Sequence, residues 1–180
     1  LLKEQPDLAP AFVTLGFAAY AQAHFDRALE HAKTILTFKD TADRFSRTRA
    51  HLLIAACLGL RALNSNYFTM IILGPRTHHH LLEANALMPE TPDVLFGTGI
   101  FFMLAPQHFY GDTEKAADCF TRSIASRPLF PEAYVRLAQL YRRENRQGDS
   151  ERSLEHARSL DPENELLRDL LEDTNRFNTR

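Results

Sequence analysis

The sequence predicts an all-α chain folded as a succession of antiparallel helix pairs. Three observations carry that expectation. Apolar residues recur at three- and four-residue spacing through most of the chain, the period of a helix with one buried face. Small residues fall on those faces where two helices must approach closely, as Ala138 and Ala157 do in PEAYVRLAQLYRRENRQGDSERSLEHARSLDP. Pro162 follows Pro128 by 34 residues, so prolines close successive stretches of chain at a fixed length. The composition agrees. At 44% hydrophobic and 24% charged, the 180 residues can bury a core, and 7 Gly with no Trp suit helices better than a sandwich or barrel.

The stretch from Pro131 to Pro162 shows the pattern most plainly. Tyr134, Leu137, Ala138 and Tyr141 mark one apolar helix face, Asn145 interrupts it, and Leu154, Ala157 and Leu160 mark a second face that Asp161-Pro162 stops. With Ser150 and the 34-residue period, these residues resemble a tetratricopeptide repeat (TPR). Two depart from that family's pattern: Ser150, where Ala is usual, and Asn145, where Gly is usual. The resemblance implies a tetratricopeptide-type helical-hairpin solenoid with a capping helix. It covers about residues 6–173, as one domain over 1–180 with repeats at about 6–40, 43–89, 92–128 and 129–162.

The first repeat begins at Pro6. Phe12, Leu15-Gly16 and Ala19 take the first-helix places, and Ala28, Ala32 and Ile35 the second, giving helices at about 9–22 and 25–38; Asp40 stands where the closing Pro would be. In the second repeat the polar DTADRFSRT delays a long helix from Arg44 to Leu63. Its later part, LLIAACLGLRAL, is apolar nearly all round, so neighbours are expected on both sides. An insert over 64–76 follows. Its run Tyr67–Leu73 reads as a short helix packed against the solenoid, and Gly74-Pro75 reads as the start of a separate helix that ends at Met88-Pro89. The third repeat has Gly99 and Phe102 on its first helix. Ala105-Pro106 stops that helix, and Asp112 or Thr113 caps the next, with Ala116, Phe120 and Ile124 inside. The fourth repeat's second helix starts at Asp149 or near Arg146. Leu-rich residues over 163–174 are expected to form the capping helix that a solenoid needs at its end, before a frayed tail NRFNTR.

A long second repeat, the insertion LAPQHFYGD in the third and then a regular repeat also resemble bacterial exported TPR proteins, the T-component of TRAP transporters among them. The chain is expected to be soluble, in the cytoplasm or a bacterial periplasm. It begins LLKEQPDLAP, without initiator Met or signal peptide, and so reads as a fragment or a mature form.

Several function classes are disfavoured. A net charge of −2 and a pI near 6.5 argue against a nucleic-acid binder. No apolar run reaches the length of a membrane span. Cys57 and Cys119 sit inside apolar helical patterns and read as buried free thiols. His78-His79-His80 is the most conspicuous polar cluster. Successive helix residues point about 100° apart, so the three cannot face one metal, and the cluster reads as a solvated or groove-rim helix start. His51, His108 and His156 are isolated; His24 and His31 are seven residues apart. No catalytic or phosphate-binding motif is present, and Gly97-x-Gly99 follows no strand. Neither catalysis, a cofactor nor a metal is expected.

In TPR proteins the concave surface is made by the exposed sides of the first helices. Carried onto this chain, that surface takes in Phe17, Tyr20, Leu60, Phe96, Ile100 and Met103, then Arg136, Gln139, Arg142 and Arg143, with Val13, Ala56, Leu63 and Val135 beside them. The implied groove is apolar in the first three repeats and basic in the fourth, unless the Tyr67–Leu73 insert or the Pro106–Tyr110 loop covers part of it. The expected function is a non-enzymatic scaffold binding a protein or peptide partner in that groove. A small apolar or acidic ligand, held by a periplasmic component of a transport system, is the alternative.

Overall fold

The computed structural model describes residues 8–38 and 41–171. Among the described residues the chain forms nine α-helices and no strand. They fall into two compact units, the first ending at Glu90 and the second beginning at Thr91. The expectations at Pro6, Asp40, the last residues of the capping helix and the tail lie outside the described residues.

Unit 1 contains α1 (Ala9–Ala21), α2 (Phe25–Thr37), α3 (Arg44–Leu63) and α4 (Tyr67–Leu87). Helix α3 packs against each of the other three, which explains its nearly continuous apolar surface. Leu53, Ile54 and Cys57 of α3 meet Ala28, Ala32 and Ile35 of α2 in the core. Gly16 of α1 has no side chain, and this lets α1 close on Leu53 of α3 as well as on α2. A Cβ there would lie 2.6 Å from Leu53 Cδ2. Leu15, its neighbour in the repeat pattern, is 51% exposed, on a helix that no described helix precedes. Helix α1 ends with Ala23 in the left-handed region (φ 59°), where His24 N–H reaches back to Ala19 O (2.8 Å) and Ala23 N–H to Tyr20 O (2.9 Å).

Helix α4 departs from the sequence reading. It is one helix of 21 residues running through Pro75, where a separate insert and a helix start at Gly74-Pro75 were expected. Asn66 sets the start, its side chain accepting from Thr69 N–H at 3.0 Å. A proline in mid-helix removes one backbone hydrogen bond and crowds the preceding turn. Here Pro75 and Ile71, four residues before it, both lie on the exposed side, where water can satisfy the freed carbonyl. The long α3 supports α4 on its inner side, with Leu73, Thr77, Leu81 and Ala84 buried. The outer side is left uncovered: Tyr67, Phe68 and Ile72 are more than half exposed, so this segment packs less of itself inward than its composition suggests.

Unit 2 contains α5 (Pro92–Leu104), α6 (Thr113–Ser126), α7 (Pro131–Arg143), α8 (Gln147–Leu160) and α9 (Glu165–Leu171). Asp112 caps α6 by accepting from Lys115 N–H at 2.9 Å, and the loop before it folds on Pro106, whose carbonyl accepts from Phe109, Tyr110 and Gly111 N–H. In the α5–α6 pair, Gly99 faces the fully buried Phe120; a Cβ would lie 2.7 Å from that ring. In the α7–α8 pair the small residue is Ala138, fully buried, and the unusual Ser150 is explained by its hydroxyl, which donates to Ala138 O at 3.0 Å. Asn145 takes the left-handed residue that ends α7 (φ 58°), a conformation Asn tolerates better than most. Helix α8 starts at Gln147, in keeping with the Arg146 alternative. Helix α9 seals α7 and α8 with the buried Leu167, and Asn164 ties its start to Glu132 (3.2 Å).

Two outcomes test this packing in urea unfolding. Gly16→Leu and Ala138→Leu are each expected to lose on the order of 1–3 kcal/mol, because the helix facing them has no room to give. Wild-type stability in both variants would mean that the repeat register is wrong. Ala23→Gly is expected to gain about 1 kcal/mol by relieving an L-residue from the left-handed region, and Asn145→Gly to gain less.

Candidate functional site

The first-helix residues are placed by the two units separately. In unit 1, Phe17 and Tyr20 of α1 and Leu60 of α3 are half-buried. The Arg49 guanidinium lies 4.2 Å from the centre of the Phe17 ring, and Tyr20 meets Phe25 edge to face at 5.6 Å. Both aromatics also pack on the unit's core, so each keeps one side for the protein and offers the other outward.

In unit 2, Phe96 and Ile100 of α5 are half-buried, and Phe96 sits between Phe120 (5.9 Å) and Phe130 (4.8 Å). Met103 and Val135 are core residues, 7% and 0% exposed, and are spent on packing rather than on an open surface. Arg136 of α7 donates to the Gln139 side chain at 2.9 Å. Arg143 donates to Met103 O at 3.0 Å, which ties the end of α7 to the end of α5 and supplies a partner to a helix-terminal carbonyl. Arg142 is exposed, and among the described residues no acidic side chain pairs with it. The two arginines in the last turn of α7 suit the negative end of the helix dipole, so part of this charge has a structural reason.

The polar feature that sequence reasoning missed lies between α3 and α4. His51 and His80 approach Nδ1 to Nδ1 at 2.9 Å, with ring centres 5.1 Å apart. With both rings neutral, one must carry its proton on Nδ1 and donate it while the other carries its proton on Nε2. Burial lowers both pKa values, that of His80 to about 4, and each imidazolium would oppose the other. His79 (α4), Arg47 (α3) and Lys33 (α2) add to that opposition, and Glu83 (α4) counters it. The signal was present: the two residues are nearly equidistant from the turn at Ser65-Asn66. Splitting α4 at Pro75 concealed it. His78 is half-buried with a lowered pKa, and His79 stays on the rim.

Among the described residues no three His, Cys, Asp or Glu side chains could hold a metal, and no helix is long and apolar enough to cross a membrane. Both cysteines are buried free thiols, and burial pushes Cys57 up to about 11.

The fold has clear counterparts among solved structures. A thermophilic TPR protein of Thermus thermophilus, TTC0263, superposes with a TM-score of 0.75 over 96% of this chain and 84% of its own, at 19% identity. The chain has the tetratricopeptide-repeat fold. MamA shares this fold with a TM-score of 0.54, over 88% of this chain and 81% of that one, at 17% identity. In sequence, the DnaJ homolog subfamily C member 7 homolog of Dictyostelium discoideum is 26% identical over 173 residues, 96% of this chain. The chain spans about a third of that relative, 31% of its length. No protein-family model matches the chain.

The histidine pair makes stability depend on pH in a defined direction. A lowered folded pKa means that the unfolded chain binds protons the folded one refuses. The contribution is therefore complete above the ordinary histidine value of 6.5 and is lost as pH falls from there towards about 4. Urea midpoints measured across that window should fall for the wild type and fall less steeply for His80→Gln. An equal slope in the two would remove the pair as the cause.

Proposed function

We propose that this TPR chain is a non-enzymatic scaffold that holds a protein or peptide partner on the outward faces of its first helices. TPR folds generally serve as interaction scaffolds, which supports the class of partner. The observation that carries the reading is the cationic end of α7. Arg142 is exposed and has no acidic partner among the described residues, on the same unit as the half-buried Phe96 and Ile100. Apolar anchors with charges beside them suit a peptide carrying both acidic and apolar side chains. In unit 1, Phe17, Tyr20 and Leu60 offer apolar contact of the same kind.

The test is an array of acidic, leucine-containing peptides probed with wild type, with Arg142→Glu and with Arg142→Glu/Arg143→Glu. Arg143 also holds Met103 O, so the single variant separates binding from folding. Charge reversal at Arg142 should weaken the retained peptides about tenfold and flatten their salt dependence. Unchanged affinity and unchanged salt dependence would remove α7 from the binding surface. The small-ligand alternative is favoured by a different observation, a cleft elsewhere in unit 1.

A further inference from the structure

Helices α2 and α4 both flank α3, and between them unit 1 has an open cleft of about 720 Å³. Its volume is that of a small-molecule site. The floor is aliphatic. Leu29, Ile54 and Leu73 are buried there, and Leu36 and Leu58 are half-buried. Each of the three helices then contributes one cation: Lys33 from α2, Arg61 from α3 and Arg76 from α4. All three are exposed, and among the described residues none has an acidic partner and no Asp or Glu lines the cleft. His79 and His80 complete the α4 wall. On α3 the lining falls on Ile54, Leu58 and Arg61, whereas Leu60 points to the opposite side of the helix. The cleft is therefore distinct from the first-helix face.

An aliphatic floor under unneutralised cations calls for a ligand that is apolar along its length and negative at its head. The length of the lining narrows the class. Leu29 to Leu36, Ile54 to Arg61 and Leu73 to His80 each span two helical turns, about 10 Å. That run is about half the length of a self-supporting helix, which takes about 12–15 residues or about 18–22 Å and would overrun the lining at both ends. It suits one extended hydrocarbon chain.

We infer that this cleft binds a single-chain aliphatic anion, with the chain on the leucine and isoleucine floor and a carboxylate or phosphate head on Lys33 and Arg76. The site is independent of the partner-binding reading, because it uses another face and other residues. Either can fail without the other.

Isothermal titration of the whole chain with decanoate and with decyl phosphate, both below their micelle concentrations, tests it. Decyltrimethylammonium is the control of opposite charge. One anion should bind per chain, and decyltrimethylammonium should not bind. Preference for decanoate indicates a fatty-acid source, and preference for decyl phosphate a single-chain phosphate ester such as a lysophospholipid. In Lys33→Glu/Arg76→Glu, whose side chains are exposed and whose helicity can be checked by circular dichroism, affinity should drop about tenfold or more. No binding of either anion, equal affinity for the cation or an unaffected variant would overturn the assignment. So would binding of an acidic amphipathic peptide with neither decyl compound bound, which would make the cleft a peptide groove.

Discussion

At the inner contacts of α1, α5 and α7 the neighbouring helix comes so close that each must present almost no side chain there. In the first pair Gly16 leaves its space to Leu53 of α3, the helix that follows the pair. In the third, Gly99 leaves it to the ring of Phe120. In the fourth the residue is Ala138, and Ser150 uses the short distance to donate a hydrogen bond to its carbonyl. These contacts set the rotation of α1, α5 and α7. Because neighbouring residues on a helix point in different directions, fixing the small side inward also fixes which side faces out. The placements of Phe17, Tyr20, Phe96 and Arg142 all follow from it.

The same constraint divides the polar groups into those with a structural reason and those without one. Arg143 is committed to the end of α5, and Arg136 shares a hydrogen bond with Gln139. Arg127 is held bidentately by Asp93 at 3.1 and 2.9 Å. Arg142, Lys33, Arg61 and Arg76 have no acidic partner among the described residues. An exposed cation is well hydrated and costs little, so exposure alone is uninformative. What gives these four weight is apolar surface beside them, where a charge with no counter-charge can select an anionic, partly apolar partner.

Most of the fold was legible in the sequence for a local reason. Helices α1, α2, α3, α5, α6, α7 and α8 have a period and stops that agree with one another, α3 and α6 add a side-chain cap, and the limits lie within a residue or two of expectation. Helix α4 failed because local and tertiary signals conflict at Pro75. A proline normally starts or ends a helix, and here support from α3 outweighs the lost hydrogen bond. The binding surface was less legible. Helical spacing identifies a face, but it cannot say how far that face is covered. Met103 and Val135 satisfy the spacing of groove residues and are buried in cores shared by three helices. The cleft of unit 1 needs three helices together, and no window of sequence contains them.

The sequence by itself determined the helices other than the full length of α4, their pairing and the small residues at their contacts. These depend on interactions between residues a few positions apart or in adjacent helices, so the chain order encodes them directly. Only the tertiary structure decided that α4 runs unbroken, that His51 meets His80, and which apolar and cationic side chains stay open to solvent. Each of those depends on atoms brought together from separate helices. The free energy of a group there is set by what surrounds it, and the group's own segment does not record its surroundings.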